Sequence, residues 1–486
     1  MKRKTLANGF LAMAALELCG CTVGPNYHAP PSNVPSTYVE SAALPSTAPP
    51  SRDQDLSSWW RQFGDGTLNA LIERALAHNL TLASANSRIR EARFQQIEAG
   101  AAEYPSLSAS GSALAYRSNA GAAGATSSSG ASAAGSSGLS LPSRLNFYSL
   151  GFDASWEVDL FGSTRRAVEA AGASREASLW TRRDGEVSLT AELANDYLML
   201  RAYQLRISLG ESELARQQDL FVLIKARRST GFVTDLDVNQ QSTLVATAAA
   251  QIPQLEAEVQ VRLHAIGILL GEPPEVLEQE LATPADSLPN PPELPPGLPA
   301  GLLQQRPDIR AAERRVAASS AQIGVKTASL YPKLDLMALG SFAGMSLSDL
   351  LSKQNLIAAA LGMASEPVLD AGRNRASVGQ AREQYTQALI TYQATIIGAL
   401  RDVEDALARH RAEQLRLERL EQAVHAAEGT LDIAKARYQT GFSTFANVLL
   451  AQYALLNARD QLIQSQALVV TDLVALFKAL GGGWSI

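Results

Sequence analysis

Cysteine is almost missing from this 486-residue chain: there are two, Cys19 and Cys21, so no disulfide can staple the body of the protein. Aromatic residues make up only 6%, and the helix-forming residues Ala, Leu, Gln, Glu and Arg dominate, which suits long helices better than a thick core. No run of 18 or more uncharged apolar residues follows the N-terminal segment, so no transmembrane helix is expected. Catalytic signatures are missing as well. There is no phosphate-binding Gly-x-x-x-x-Gly-Lys-Ser/Thr, no His-Glu-x-x-His, no Gly-x-Ser-x-Gly and no Gly-x-Gly-x-x-Gly, and the chain is not expected to be an enzyme. The five histidines are scattered; His410 and His425 lie too far apart on one helix to form an i, i+4 metal face and read as surface residues. Neither a metal nor a cofactor is expected. Basic and acidic residues number 42 and 48 and are interspersed, giving a net charge of -6 and no basic face for nucleic acid.

What is present begins with an export signal over residues 1–20, where Lys2, Arg3 and Lys4 precede a short apolar stretch, Leu6 to Leu18. Leu18-Cys19-Gly20-Cys21 resembles the bacterial lipobox, which makes Cys21 the expected lipidation site; a plain secretory signal cut elsewhere is the alternative. Residues 21–58, with Pro30-Pro31 and Pro49-Pro50, read as a lipidated tether. Trp59 and Trp60 read as packing anchors for it.

The rest of the chain is a repeat. Tyr104-Pro105-Ser106-Leu107 matches Tyr331-Pro332-Lys333-Leu334 at an offset of 227. Farther on the offset is 210: Gly162 matches Gly372, and Thr230-Gly231-Phe232 matches Thr440-Gly441-Phe442. The difference falls where the first half carries a Ser/Gly/Ala-rich tract, Ser118 to Gly138, read as a loop tip. The first repeat spans 59–271 and the second 301–486, with a Pro-rich linker at 272–300.

Each repeat reads as a helix, two strands and a long helical hairpin. Strands are expected at about 105–117, 145–158, 332–343 and 355–368, from alternation such as Tyr148, Leu150 and Phe152 against Ser149 and Asp153. Hairpins are expected at about 162–270 and 372–480, with tips near Gly231 and Gly441. One face recurs at Leu189, Leu193, Tyr197 and Leu200; in the second repeat Leu389, Ile396 and Val403 recur every seven residues. Asp402, Glu404 and Asp405, beside Arg401 and Arg409, read as a solvated helix face.

The fold class is therefore mainly α with a transmembrane β-barrel. Four strands cannot close a barrel, for which about eight are needed, and open edges are not tolerated in lipid. A homotrimer would supply twelve strands and a lumen continued by the long helices.

Several motifs carry a family resemblance across the chain: Cys21-Thr22-Val23-Gly24-Pro25-Asn26-Tyr27, Trp59-Trp60, Asp159-Leu160-Phe161-Gly162, Gln305-Arg306-Pro307-Asp308 and Leu476-Phe477-Lys478-Ala479-Leu480-Gly481-Gly482-Gly483-Trp484. With them the chain resembles the TolC/OprM-type, NodT-like outer-membrane efflux lipoproteins. The resemblance implies a trimeric channel-tunnel in the outer-membrane lipid, docked onto a periplasmic adaptor (membrane fusion protein) and an inner-membrane RND-type pump. It implies that Gly231, Phe232, Gly441 and Phe442 lie at the periplasmic tip and touch the adaptor. The family often carries acids just after the second turn as a constriction ring; here Asn447 and Leu450 stand there. The candidate constriction is thus Phe445, Asn447 or Leu450, with Asp235 and Asp237 nearby. Thr234 to Asp237 and Thr444 to Asn447 read as capping boxes. A channel for protein secretion or metal efflux is the alternative, followed by a pore-free periplasmic adaptor or coiled-coil scaffold.

Overall fold

In the computed structural model the described residues are 22–31, 38–40, 56–117, 144–284, 287–292, 300–348 and 350–484. The expected signal peptide, the lipidation site Cys21, most of the tether, the tract 118–138 and part of the linker lie outside them.

The helices are α1 (Gly66–His78), α2 (Leu80–Ala101), α3 (Ser163–Ser229), α4 (Asp235–Leu270), α5 (Glu275–Glu280), α6 (Pro307–Ala328), α7 (Arg373–Gln439) and α8 (Phe445–Ala479). The strands are β1 (Ser106–Arg117), β2 (Arg144–Val158), β3 (Lys333–Gly344) and β4 (Leu356–Ser365). The two long helices, α3 and α7, are each 67 residues, about 100 Å at a rise of roughly 1.5 Å per residue. Each starts after a glycine in the left-handed region, Gly162 (φ 81) or Gly372 (φ 83).

By contacts the chain forms two compact units, and each draws on both repeats. Of the described residues, those within Met1–His28, Ala92–Ser174 and Val316–Gln387 make up one, and those within Ala29–Glu91, Arg175–Arg315 and Ala388–Ile486 the other.

The first unit contains the sheet, ordered β1-β2-β3-β4 with every pair antiparallel. The register gives it two consistent faces. Leu150, Phe152 and Trp156 lie opposite Phe342, Gly340 and Leu336, while Asp153 and Glu157 lie opposite Leu339 and Asp335. Ile357, Leu361 and Met363 of β4 fall on the Asp153 face, because Asp335 pairs with Met363.

The second unit has the larger apolar core. Leu189, Leu193, Tyr197 and Leu200 of α3 are buried, as their spacing requires, together with Leu68, Leu71 and Ile72 of α1. In α7, Ile396, Val403 and Leu407 are buried. Burying each such side chain is worth about 1.5–3 kcal/mol. Helix α8 is long and apolar enough to cross a membrane by length and composition alone. Its apolar side is used in packing: Leu473, Leu476 and Phe477 are buried, and Phe477 stacks on Trp59 at 5.2 Å.

Two readings of polar residues need correction. His410 is buried rather than on the surface; its Nε2 lies 2.9 Å from Gln414 Nε2, and burial pulls its pKa down. Glu404 is not merely a solvated helix residue. Its carboxylate accepts the backbone N–H groups of Val39 (2.7 Å) and Glu40 (3.0 Å), beside the buried Tyr38, whose phenol burial pushes up to about 12. The side chain fastens part of the tether.

Candidate functional site: free sheet edges and helical tips

Among the described residues of the first unit, both outer strands of the sheet lack a partner on one side. Every residue of β1 and of β4 is exposed. Such an edge presents a row of unpaired backbone N–H and C=O groups, which cannot remain open in hydrocarbon.

Where β2 turns into α3, the corner is built by Asp159-Leu160-Phe161-Gly162. The Asp159 carboxylate accepts the Arg165 backbone N–H at 3.0 Å and its Nε at 3.2 Å. Phe161 stacks on Tyr331 at 4.7 Å. The N-terminal strap lies on this corner: Val23 N–H donates to the Phe161 carbonyl at 3.1 Å. Arg166 then donates to the Val23 carbonyl (3.3 Å), to Asn26 Oδ1 (2.7 Å) and to Glu169 (2.7 Å). Glycine is required at two points. A Cβ on Gly162 would stand 2.7 Å from Thr22 Cγ2, and one on Gly24 would stand 2.5 Å from the Gly324 Cα. Thus the strap motif and the corner motif, read separately in the sequence, explain each other. Thr22, next to Cys21, is held at the base of β2.

The corresponding corner after β4 is bare. Asp370 accepts the Gly372 and Asn374 N–H groups at 2.9 Å each, so the turn is intact. Yet Val368 and Leu369 are 96% and 92% exposed, and nothing lies within 4 Å of a Cβ built on Gly372.

In the second unit the two hairpin turns share one geometry. Gly231 (φ 81) and Gly441 (φ 78) occupy the left-handed region. The following N–H groups reach back, Phe232 to the Arg227 carbonyl at 3.0 Å and Phe442 to the Arg437 carbonyl at 2.8 Å, closing each helix C-terminus. Phe232 and Phe442 project, 82% and 80% exposed.

Beyond the turns the hairpins differ. Thr234 and Asp237 form the expected capping box, with Asp237 Oδ2 accepting the Thr234 N–H at 2.9 Å. Asp235 is bound by Arg228 at 2.7 and 2.9 Å, and that guanidinium holds its carboxyl below the usual range. Both acids are therefore engaged within their own hairpin. The second box does not form. Thr444 makes no side-chain cap: the Asn447 backbone N–H donates to the Thr444 carbonyl at 3.2 Å, and the Asn447 Nδ2 donates to Ser443 Oγ at 2.9 Å. Phe445, one of the constriction candidates, is buried. It is 5% exposed and packs with Ile224, Leu431, Val448 and Leu449, its ring 5.3 Å from Tyr438. Asn447 and Leu450 are exposed.

A polar layer inside the second unit gave no sequence signal. Gln241 of α4 is fully buried and donates to the Gln217 carbonyl (2.9 Å) and to its Oε1 (2.6 Å). Gln217 donates in turn to Glu213 at 2.6 Å, and Glu213 is held by Arg216 at 2.7 Å. Elsewhere, the Arg-Pro-Asp motif works as a clamp: Arg306 binds Asp308 at 2.7 Å and donates to the Ala479 carbonyl at 2.6 Å, tying the start of α6 to the end of α8. Among the described residues no group of three or more His, Cys, Asp or Glu could hold a metal ion.

Comparison with known proteins agrees with this architecture. The profile of the family described as outer membrane efflux protein matches residues 71–272 and 298–482. The chain is 32% identical to the pyoverdine export outer membrane protein OpmQ of Pseudomonas aeruginosa, over 100% of this chain and 97% of that protein. It is 30% identical to the antibiotic efflux pump outer membrane protein ArpC of Pseudomonas putida, over 98% and 95%. Among solved structures, the outer-membrane channel OprN superposes with a TM-score of 0.84 at 33% identity, covering 96% of this chain and 100% of that one. With the duplicated hairpins, the four-stranded sheet and these matches in hand, the chain belongs to the outer membrane efflux protein family and is an outer-membrane efflux channel reaching into the periplasm.

Proposed function

We propose that three copies of the chain close a twelve-stranded barrel and form the exit duct of a tripartite efflux pump. The observation that carries this reading is the open sheet, with two edge strands exposed along their whole length. Sharing the sheet among copies satisfies both edges at once. The duct catalyses no reaction. It passes drugs or other small molecules that an inner-membrane RND-type pump and its periplasmic adaptor deliver, a reading supported by the export and efflux names of OpmQ and ArpC. Lipidation at Cys21 anchors the strap in the outer membrane.

In this reading the two turns are the adaptor contacts. Phe232 and Phe442 fit that role: two large apolar rings at matching positions, each borne on a glycine turn and each left uncovered. Aromatic anchors of this kind dominate many interfaces. Of the constriction candidates, Asn447 and Leu450 remain, since Phe445 is buried and Asp235 and Asp237 are engaged locally.

The test places a photo-crosslinking amino acid at Phe232 or Phe442 in the full-length protein in its own cells. The expected product joins the channel to a periplasmic adaptor, and deletion of the gene raises susceptibility to compounds that the pump expels. Absence of any adaptor product from both positions, with unchanged susceptibility, would overturn the reading.

A further inference from the structure

The sequence repeat and the strand registers fit together closely enough to specify an interface. Within the first repeat Ser106 lies opposite Ser155. Shifted by the repeat offsets of 227 and 210, these positions become Lys333 and Ser365, which are opposite one another between β3 and β4. The same two offsets therefore relate the pairings inside each repeat, strand for strand and residue for residue.

One pairing joins the repeats: β2, the second strand of the first, with β3, the first strand of the second. Its counterpart is missing among the described residues of the single chain. It would join β4, the second strand of the second repeat, to a first-repeat β1, and since four strands cannot close on themselves that β1 belongs to another copy. Within the chain Gly151 lies opposite Ser341. Carrying Gly151 forward by 210 and Ser341 back by 227 gives Leu361 and Leu114.

We infer that β4 of one copy pairs antiparallel with β1 of the next in the register that sets Leu361 opposite Leu114 and Ser365 opposite Ser110, seating Tyr104 of that next copy in the bare corner after β4. This rests on the shared-barrel reading and adds to it the partner strand, the register and the contact at the corner.

Two further observations agree. The register keeps the faces aligned: Leu114 and Leu361 both belong to the side that carries Asp153, through Leu114's neighbours in register on β2 and Leu361's pairing with Met337. A slip by one residue would set residues of one face of the sheet against residues of the other. The corner is the second. Phe161 at the first corner stacks on Tyr331, and the counterpart of Tyr331 is Tyr104, which is 70% exposed. Val158 lies opposite Leu334 in the chain, so its counterpart Val368 comes opposite the next copy's Leu107. Val368, the most uncovered apolar residue after β4, thus meets Leu107, which is 71% exposed, while Tyr104 comes level with Ala371, the counterpart of Phe161.

The experiment is oxidative crosslinking of the full-length protein in outer membranes, with the unsubstituted protein as the control for its own cysteines. Leu114→Cys with Leu361→Cys is expected to give a covalent trimer on a denaturing gel, at least tenfold more than Leu114→Cys with Ala359→Cys or with Met363→Cys. Ser110→Cys with Ser365→Cys changes little in size and repeats the test should the leucine pair disturb folding. A crosslink that moves to position 359 or 363 overturns the register while leaving the trimer. A trimeric native mass with no crosslink from either pair overturns the strand pairing alone, and a monomeric native mass removes the shared barrel with it.

Discussion

The two hairpin turns have the same backbone and are held by opposite means. Across the first turn Arg228 grips Asp235; at the positions 210 residues later stand Tyr438 and Phe445, whose rings touch. Deeper in the coil, Gln217 and Gln241 share a buried hydrogen bond, and their counterparts are Ala427 and Ala451, both packed in an apolar cluster. The turn itself demands only a glycine in the left-handed region. The residues that brace it are free to be ions or rings. The first tip is thus braced by an exposed ion pair and a buried polar contact, and the second by aromatic and apolar packing.

That contrast can be broken from either side. The largest effect is expected for Phe445→Ala, which should lower the local opening free energy of the second tip by about 3–5 kcal/mol, the usual cost of emptying a buried phenylalanine site; hydrogen exchange of amides around Gly441 reads it. Unchanged protection there would mean that burial does not hold this tip. Gln241→Ala gives the first hairpin the residue that the second carries, and it removes the donor to a buried carbonyl. A loss of about 1–3 kcal/mol is expected in thermal or denaturant unfolding, and a neutral result would show that the polar layer is dispensable. Thr234→Ala should cost about 1 kcal/mol through loss of its cap, whereas Thr444→Ala, with no cap bond to lose, should cost clearly less; equal costs in the same unfolding assay would contradict the asymmetry.

The smallest effect is one of pH. Arg228 depresses the Asp235 pKa, so the carboxylate's contribution is present above its unfolded pKa and is lost as pH falls through the folded value. Acidification below the ordinary carboxylate range should therefore loosen the first turn before the second, with high salt acting in the same direction. Exchange rates that rise equally at both turns would remove this distinction.

Much of the architecture was legible because it rests on periodicity and on glycine. The Leu189–Leu200 face, the two turns and the four alternating segments all depend on local spacing, and local spacing survives in the sequence. What stayed hidden depends on distant partners. Asn447 has the right position for a capping box, yet Ser443 takes its amide. Phe445 is buried against Ile224, more than 200 positions earlier. Glu404 stood in an ordinary charged helix face, and only the tether's approach gave its carboxylate a task. The facing of β4 was equally hidden: small residues on one side and modest apolar ones on the other give weak alternation, and its pairing with β3 decides which side is which.

The central claim is that one chain supplies a third of a barrel, and the native mass of the full-length protein, extracted from outer membrane in mild detergent, tests it most directly. The account predicts a trimer, three times the protomer mass plus its acyl chains. A stable monomer that retains its strands would contradict it, since the edges of β1 and β4 would then have found some other way to survive in lipid.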